Sequence, residues 1–315
     1  MDGASSIERS QATIASRNTG ASGSPGPEWR DRSLESAYDL CRRMQRRHDP
    51  TFYLATLRLP SDVRPAVHAL YGFVRSADEI VDGDGLSLDP DERLRRLDQL
   101  GAELDAARRG ERVTTPAVIA LADAGSRHDL PLEQLDAYLE SMKRDARPLR
   151  IADWEDLRSY MNGSAGTVGT IMAPLLGAPA EQHLSFARLG LAFQLTNFIR
   201  DIPEDTGLGR IYLPADELRA AGVGERDLSA SSASDGLRRV IAGQVARARE
   251  LFAEGDAGSN AVSPGIRRGV ILARTVYERT LDRVEAVGFD TLSHRASLPP
   301  IPLASAVIAG LRGRR

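Results

Sequence analysis

From about residue 33 onward, apolar residues recur at spacings of three and four, and no stretch alternates apolar with polar as a half-buried strand would. The spacing predicts helices over 33–47, 62–82, 89–109, 114–125, 131–145, 153–175, 181–202, 236–254 and 264–287. Turn-forming runs separate them: Leu59-Pro60-Ser61-Asp62, Gly83-Asp84-Gly85, Asp129-Leu130-Pro131 and Gly177-Ala178-Pro179. Ser61 or Asp62 is the expected N-cap of the second helix, and Pro131 the expected first residue of the fifth. Segments 222–236 and 255–265 read as loops, and residues 1–32, rich in Ser, Gly, Ala and Pro, as a disordered tail. No shift in composition divides the remainder. The expectation is one all-α domain over 33–297, followed by an apolar and basic segment, 298–315.

Composition narrows the function classes. The chain has 315 residues, 42% hydrophobic and 27% charged, as soluble globular proteins do. A net charge of −3 gives no basic field for nucleic acid. Cys41 is the only cysteine, so an internal disulfide or a cysteine-based zinc site is ruled out, which fits a reducing cytoplasm. Lys143 is the only lysine, and the many arginines supply forked guanidiniums suited to phosphate. No apolar run reaches the roughly 18 residues that span a bilayer, and the N-terminus has no apolar signal core. Ile301–Leu311 is apolar and precedes Arg312, Arg314 and Arg315. Such a segment could rest peripherally on an anionic membrane surface, and a frayed terminal helix explains it equally well.

Two acidic stretches carry the candidate chemistry: Asp78-Glu79-Ile80-Val81-Asp82 and Asp201-Ile202-Pro203-Glu204-Asp205. Each sets two aspartates at i and i+4, on one helix face, where like charges repel. Each follows an apolar stretch and has an arginine close by, Arg75 and Arg200. Gln194, Asn197, Arg200 and Asp201 fall at i, i+3, i+6 and i+7, a polar stripe on an otherwise apolar helix that is costly to bury unless it binds something. Solvated acid pairs are common, but these lie in apolar surroundings. Hard oxygen ligands so placed suit Mg²⁺, which takes one or two carboxylates and completes its shell with water and phosphate. Pro203 disfavours helix at Ile202, so the second pair is expected at a helix end.

Further segments accompany these stretches: His48–Tyr53, Tyr160–Gly169 and Gly209–Pro214. The small residues at 163–166 and 169 would leave either a groove for a long apolar ligand or a site of close helix packing. Together YGFVRSADEIVD, YMNGSAGTVG and QLTNFIRDIPEDTGLGRIYLP resemble the squalene/phytoene synthase family, the head-to-head prenyl synthases, over about residues 36–296. The similarity is greatest to bacterial carotenoid enzymes.

The resemblance implies an isoprenoid-synthase helical bundle around a central apolar cavity. It implies Asp78, Asp82, Asp201 and Asp205 as ligands of Mg²⁺ (or Mn²⁺), with Arg75 and Arg200 beside them on diphosphate. Gln194 and Asn197 are implied to face the substrate, and Tyr71, Tyr160 and Tyr277 to line the cavity. Phe52, Arg210 and Arg295 are implied as further substrate or diphosphate contacts. Where relatives often carry Ser-Lys or Gly-Lys after the histidine, this chain has Asp49-Pro50; Glu79 stands where Asp is frequent.

The activity implied is condensation of two geranylgeranyl diphosphates to phytoene through a cyclopropyl diphosphate, without a reductant. A C30 alternative would use farnesyl diphosphate to make dehydrosqualene, presqualene diphosphate or squalene, and only squalene would require NADPH. A third reading, a non-catalytic assembly or lipid-binding relative, fits poorly with retention of all four aspartates.

Overall fold

The computed structural model describes residues 27–82 and 84–294. Arg295, residues 1–26 and the 298–315 segment lie outside the described residues. The first helix, α1 (Pro27–His48), starts six residues ahead of the expected position. It is followed by α2 (Pro50–Thr56), α3 (Arg64–Val81), α4 (Pro90–Arg108), α5 (Pro116–His128) and α6 (Gln134–Asp145). The predicted helix over 153–175 is one rod in three parts: α7 (Trp154–Met161), a π-helical turn (Asn162–Gly166) and α8 (Thr167–Leu175). Then come α9 (His183–Arg200), α10 (Ile202–Gly207), α11 (Ala215–Ala220), α12 (Asp235–Glu254), α13 (Asp256–Ala261) and α14 (Pro264–Ala286). Two-residue strands β1 (Leu149–Arg150) and β2 (Arg210–Ile211) pair in parallel, Leu149 opposite Arg210.

Several local expectations are corrected. Helix α3 is capped by Val63 with no side-chain bond, not by Ser61 or Asp62, because a turn over 61–63 precedes it and Pro65 occupies its first turn. Pro131 lies in a turn before α6, whose N-cap is Glu133. The supposed loop 255–265 contains α13, and 222–236 contains a 3-10 turn over Glu225–Ser229. The Asp49-Pro50 pair has a local explanation. Asp49 caps α2, its Oδ1 accepting from the Phe52 N–H at 2.8 Å, and Pro50 supplies the fixed φ favoured at a first helical position.

Two helical groups form the core. In one, α1, α3 and α5 pack on each other; in the other, α9 packs against α8 and α12. Cys41 of α1 is fully buried against Gly72 of α3, where a larger residue would collide with its sulfur. Helix α6 and the π turn join the groups. The small residues here serve close packing rather than an open groove. An added Cβ at Gly163 would fall 2.8 Å from the Ala137 carbonyl oxygen of α6, and one at Gly190 of α9 would collide with the Ala165 carbonyl. No helix among the described residues is long and apolar enough to cross a membrane.

Candidate functional site

Two helices carry a partly accessible stripe beside a buried face. On α3 it runs through Tyr71, Val74, Arg75, Asp78 and Glu79, ending at the exposed Asp82. These spacings of three and four put the residues on one face. On α9 and just beyond it, Phe193, Gln194, Asn197, Arg200 and Asp201 form the matching stripe. Most of the opposite face of α9, including Leu191, Ala192, Leu195, Phe198 and Ile199, is sealed in the core. Helices α2 and α14 bring further groups beside these faces. Phe52 meets Tyr71 at 6.4 Å between ring centroids, and Phe193 meets Tyr277 at 4.5 Å. The Asn197 side chain bonds the Tyr277 hydroxyl, and the Arg200 and Asp201 charges act on it. Partly buried Val168, Met172 and Val270 pack against the core.

The two acidic segments meet through Arg210. Asp78 Oδ1 lies 3.1 Å from the Tyr138 hydroxyl, which also reaches the Val74 carbonyl oxygen at 3.0 Å. Burial, followed by the Asp82 charge, pushes the Asp78 carboxyl up to about 7. Arg210 donates to Asp82 and, at 3.0 Å, to the Val81 carbonyl oxygen. Asp205, from the second segment, is pushed up to about 8 by burial and Asp201, against the pull of Arg210. Arg200 grips Asp201 with both arms, at 2.7 and 2.5 Å, and Arg75 pairs with Glu79. As Pro203 predicted, α9 stops at Arg200 and a new helix begins at Ile202, so Asp201 and Asp205 straddle a break.

One expected cavity residue, Tyr160, and one expected diphosphate contact, Arg210, are buried away from ligand. Tyr160 is 2% exposed, its hydroxyl donating to Asp145 and its ring packed on Phe198 and Tyr212, so it stands behind the acidic wall rather than lining a cavity. Arg210 is 4% exposed and directs its donors at Asp82, Val81 and Asp145, so it ties the segments together instead of presenting a guanidinium to ligand. Between Asp205 and the segment 210–212 there is a cavity of about 10 Å³. Asp145 itself was missed in the sequence. It is buried, accepts from Tyr160 and from Tyr212 at 2.9 Å, and is pushed up to about 6 by burial. The available signal was its position: it continues the buried face of Leu135, Tyr138, Leu139 and Met142, and sits at a helix C-terminus, where an anion opposes the dipole.

The donor set fits hard cations. Burial first, and a neighbouring carboxylate second, hold Asp78 and Asp205 above their ordinary range, and a cation placed beside them would offset both. Asn197 adds a buried Oδ1 with no hydrogen-bond donor, and the Nε of Arg75 is likewise buried without an acceptor. No three acidic, histidine or cysteine side chains among the described residues already converge on one point. Each cation would therefore take one or two carboxylates and draw the rest of its shell from water or phosphate.

Comparison with known proteins agrees. Residues 45–301 match the squalene/phytoene synthase family model. The chain is 36% identical to phytoene synthase of Thermus thermophilus, over 84% of this chain and 89% of that protein. It is 32% identical to 15-cis-phytoene synthase of Synechococcus elongatus, over 85% and 90%. Among solved structures, a dehydrosqualene synthase in complex with ligand superposes with a TM-score of 0.80 at 24% identity, covering 90% of this chain and 98% of that one. Squalene synthase HpnC from Alicyclobacillus acidocaldarius superposes at 0.72 with 34% identity, covering 81% and 95%. With this site on this bundle, the chain belongs to the squalene/phytoene synthase family, whose enzymes are prenyltransferases.

Proposed function

We propose that this protein is a phytoene synthase, joining two geranylgeranyl diphosphates head to head. The observation that carries the reading is the convergence of both acidic segments on Arg210 beside an apolar-lined face. The C20 substrate is favoured by the relatives at 36% and 32% identity that are phytoene synthases. Asp78, Asp82, Asp201 and Asp205, with Asn197 Oδ1, would hold Mg²⁺ (Mn²⁺ is an alternative). Bound there, Mg²⁺ supplies charge neutralisation of the departing diphosphate.

The chain's own residues do the remainder. Arg75 and Arg200 stand where a diphosphate would accumulate charge, so they stabilise the leaving group as its C–O bond breaks. The first allylic cation is attacked by the double bond of the second substrate, with loss of a proton, giving a cyclopropyl diphosphate. The second diphosphate then departs, the skeleton rearranges, and a second proton is lost. Phe52, Tyr71, Phe193 and Tyr277 offer aromatic faces to the cations, each worth roughly 0.5–2 kcal/mol. The surrounding apolar groups exclude water, which would otherwise capture them. Gln194 faces the same space.

The product needs no reductant; NADPH enters only in the C30 alternative that ends at squalene. A cytoplasmic site of action, peripheral to the membrane, belongs to the same reading. The deciding assay incubates purified protein with Mg²⁺ and either farnesyl or geranylgeranyl diphosphate, with and without NADPH, and identifies the hydrocarbon. A C40 product independent of NADPH is expected. A C30 product with no C40 would overturn the substrate assignment.

A further inference from the structure

Asp145 belongs to neither acidic segment, yet it lies where both are held. It closes α6, and three bonds radiate from it. Its carboxylate accepts from the Tyr160 and Tyr212 hydroxyls, and its backbone carbonyl accepts from Arg210 Nε at 3.2 Å. Arg210 and Tyr212 are two apart in extended chain, so their side chains leave on the same side. Tyr212 is also stacked on Phe198 of α9 at 3.8 Å, with ring planes 13° apart. Arg210 reaches from this anchor to Asp82 and Val81 at the end of α3. One residue of α6 therefore grips the strand after the second segment and, through it, the end of the first.

We infer that Asp145 is a positioning residue: with Tyr160 and Tyr212 it fixes the Arg210 guanidinium between the acidic segments, and so sets the spacing at which Asp82 and Asp205 share cations. The inference rests on the cation-and-diphosphate reading of those segments. Hydroxyl bonds into a buried carboxylate are charge-assisted and directional, so they fix geometry as well as adding stability.

The test uses Asp145→Asn, which keeps the shape but halves the carboxylate's acceptors, and Tyr212→Phe, which removes one hydroxyl. The readouts are Mg²⁺-dependent binding of inorganic diphosphate by calorimetry, melting temperature without Mg²⁺, and kcat and KM. Loss of groups that orient metal ligands weakens metal affinity or activity about 10–100-fold, and at least a tenfold higher Mg²⁺ requirement with reduced kcat is expected. Glu217→Gln is the control for a purely structural lesion. It weakens a partly buried pair with Arg247 and Gln244, and should lower the melting temperature without moving the Mg²⁺ titration. Wild-type Mg²⁺ dependence in Asp145→Asn and Tyr212→Phe, or an equal shift in Glu217→Gln, would reduce Asp145 to core packing. A wild type that binds diphosphate but turns over no prenyl diphosphate defeats the proposed function while the calorimetry still decides Asp145. A wild type that binds no diphosphate defeats both.

Discussion

At the scale of single residues, the site is defined by carboxyls held above their ordinary range. Asp78 is pushed up to about 7 and Asp205 to about 8, from 3.8. A carboxyl raised in this way keeps its proton in the native state while the unfolded chain has lost it. Its contribution to stability is full below pH 3.8 and is lost as pH rises through 7 to 8. The metal-free protein should thus melt at a lower temperature near about pH 8.5 than near about pH 6, and Mg²⁺ with diphosphate should narrow the gap. Asp78→Asn, permanently neutral, should remove the Asp78 share of this pH dependence while the Asp205 share remains, leave the fold intact and abolish turnover. Full activity in that variant would refute the role given to Asp78. The paired aspartates were legible because repeated i,i+4 acids in apolar surroundings are electrostatically expensive. Asp145 was not, since a lone acid near a helix end looks like an ordinary surface residue until the chain folds back to bring Tyr212 and Arg210 onto it.

At the scale of elements, helical spacing placed the long helices of the described residues to within a few residues, apart from the earlier start of α1 and the π turn that divides 153–175. Short elements escaped it. Helices α2, α10, α11 and α13 have six or seven residues each, too few for a period to show, and β1 and β2 are defined only by pairing across distant chain. The meaning of the glycines also depended on neighbours, because a small residue reads the same whether it opens a groove or admits another backbone. Gly190 admits Ala165. Gly190→Ala should therefore separate α9 from the π turn and cost about 1–3 kcal/mol in denaturant unfolding, the usual range for overpacking. A neutral effect would restore the groove.

At the scale of the whole molecule, the two helical groups meet where the chemistry is assigned, and α1 and α3 make up much of the first. Their contact contains the molecule's only thiol. Cys41 is fully buried, and burial pushes its pKa up to about 12, so in the native state it is neither accessible nor ionised. That makes it an internal clock for opening. A thiol reagent should label the native protein only as fast as α1 parts from α3, and should titrate one equivalent at once in denaturant. Prenyl diphosphate bound between the helical groups should slow the labelling, giving a readout of ligand occupancy that needs no turnover. Rapid labelling of the native protein would show that the α1–α3 contact opens without global unfolding.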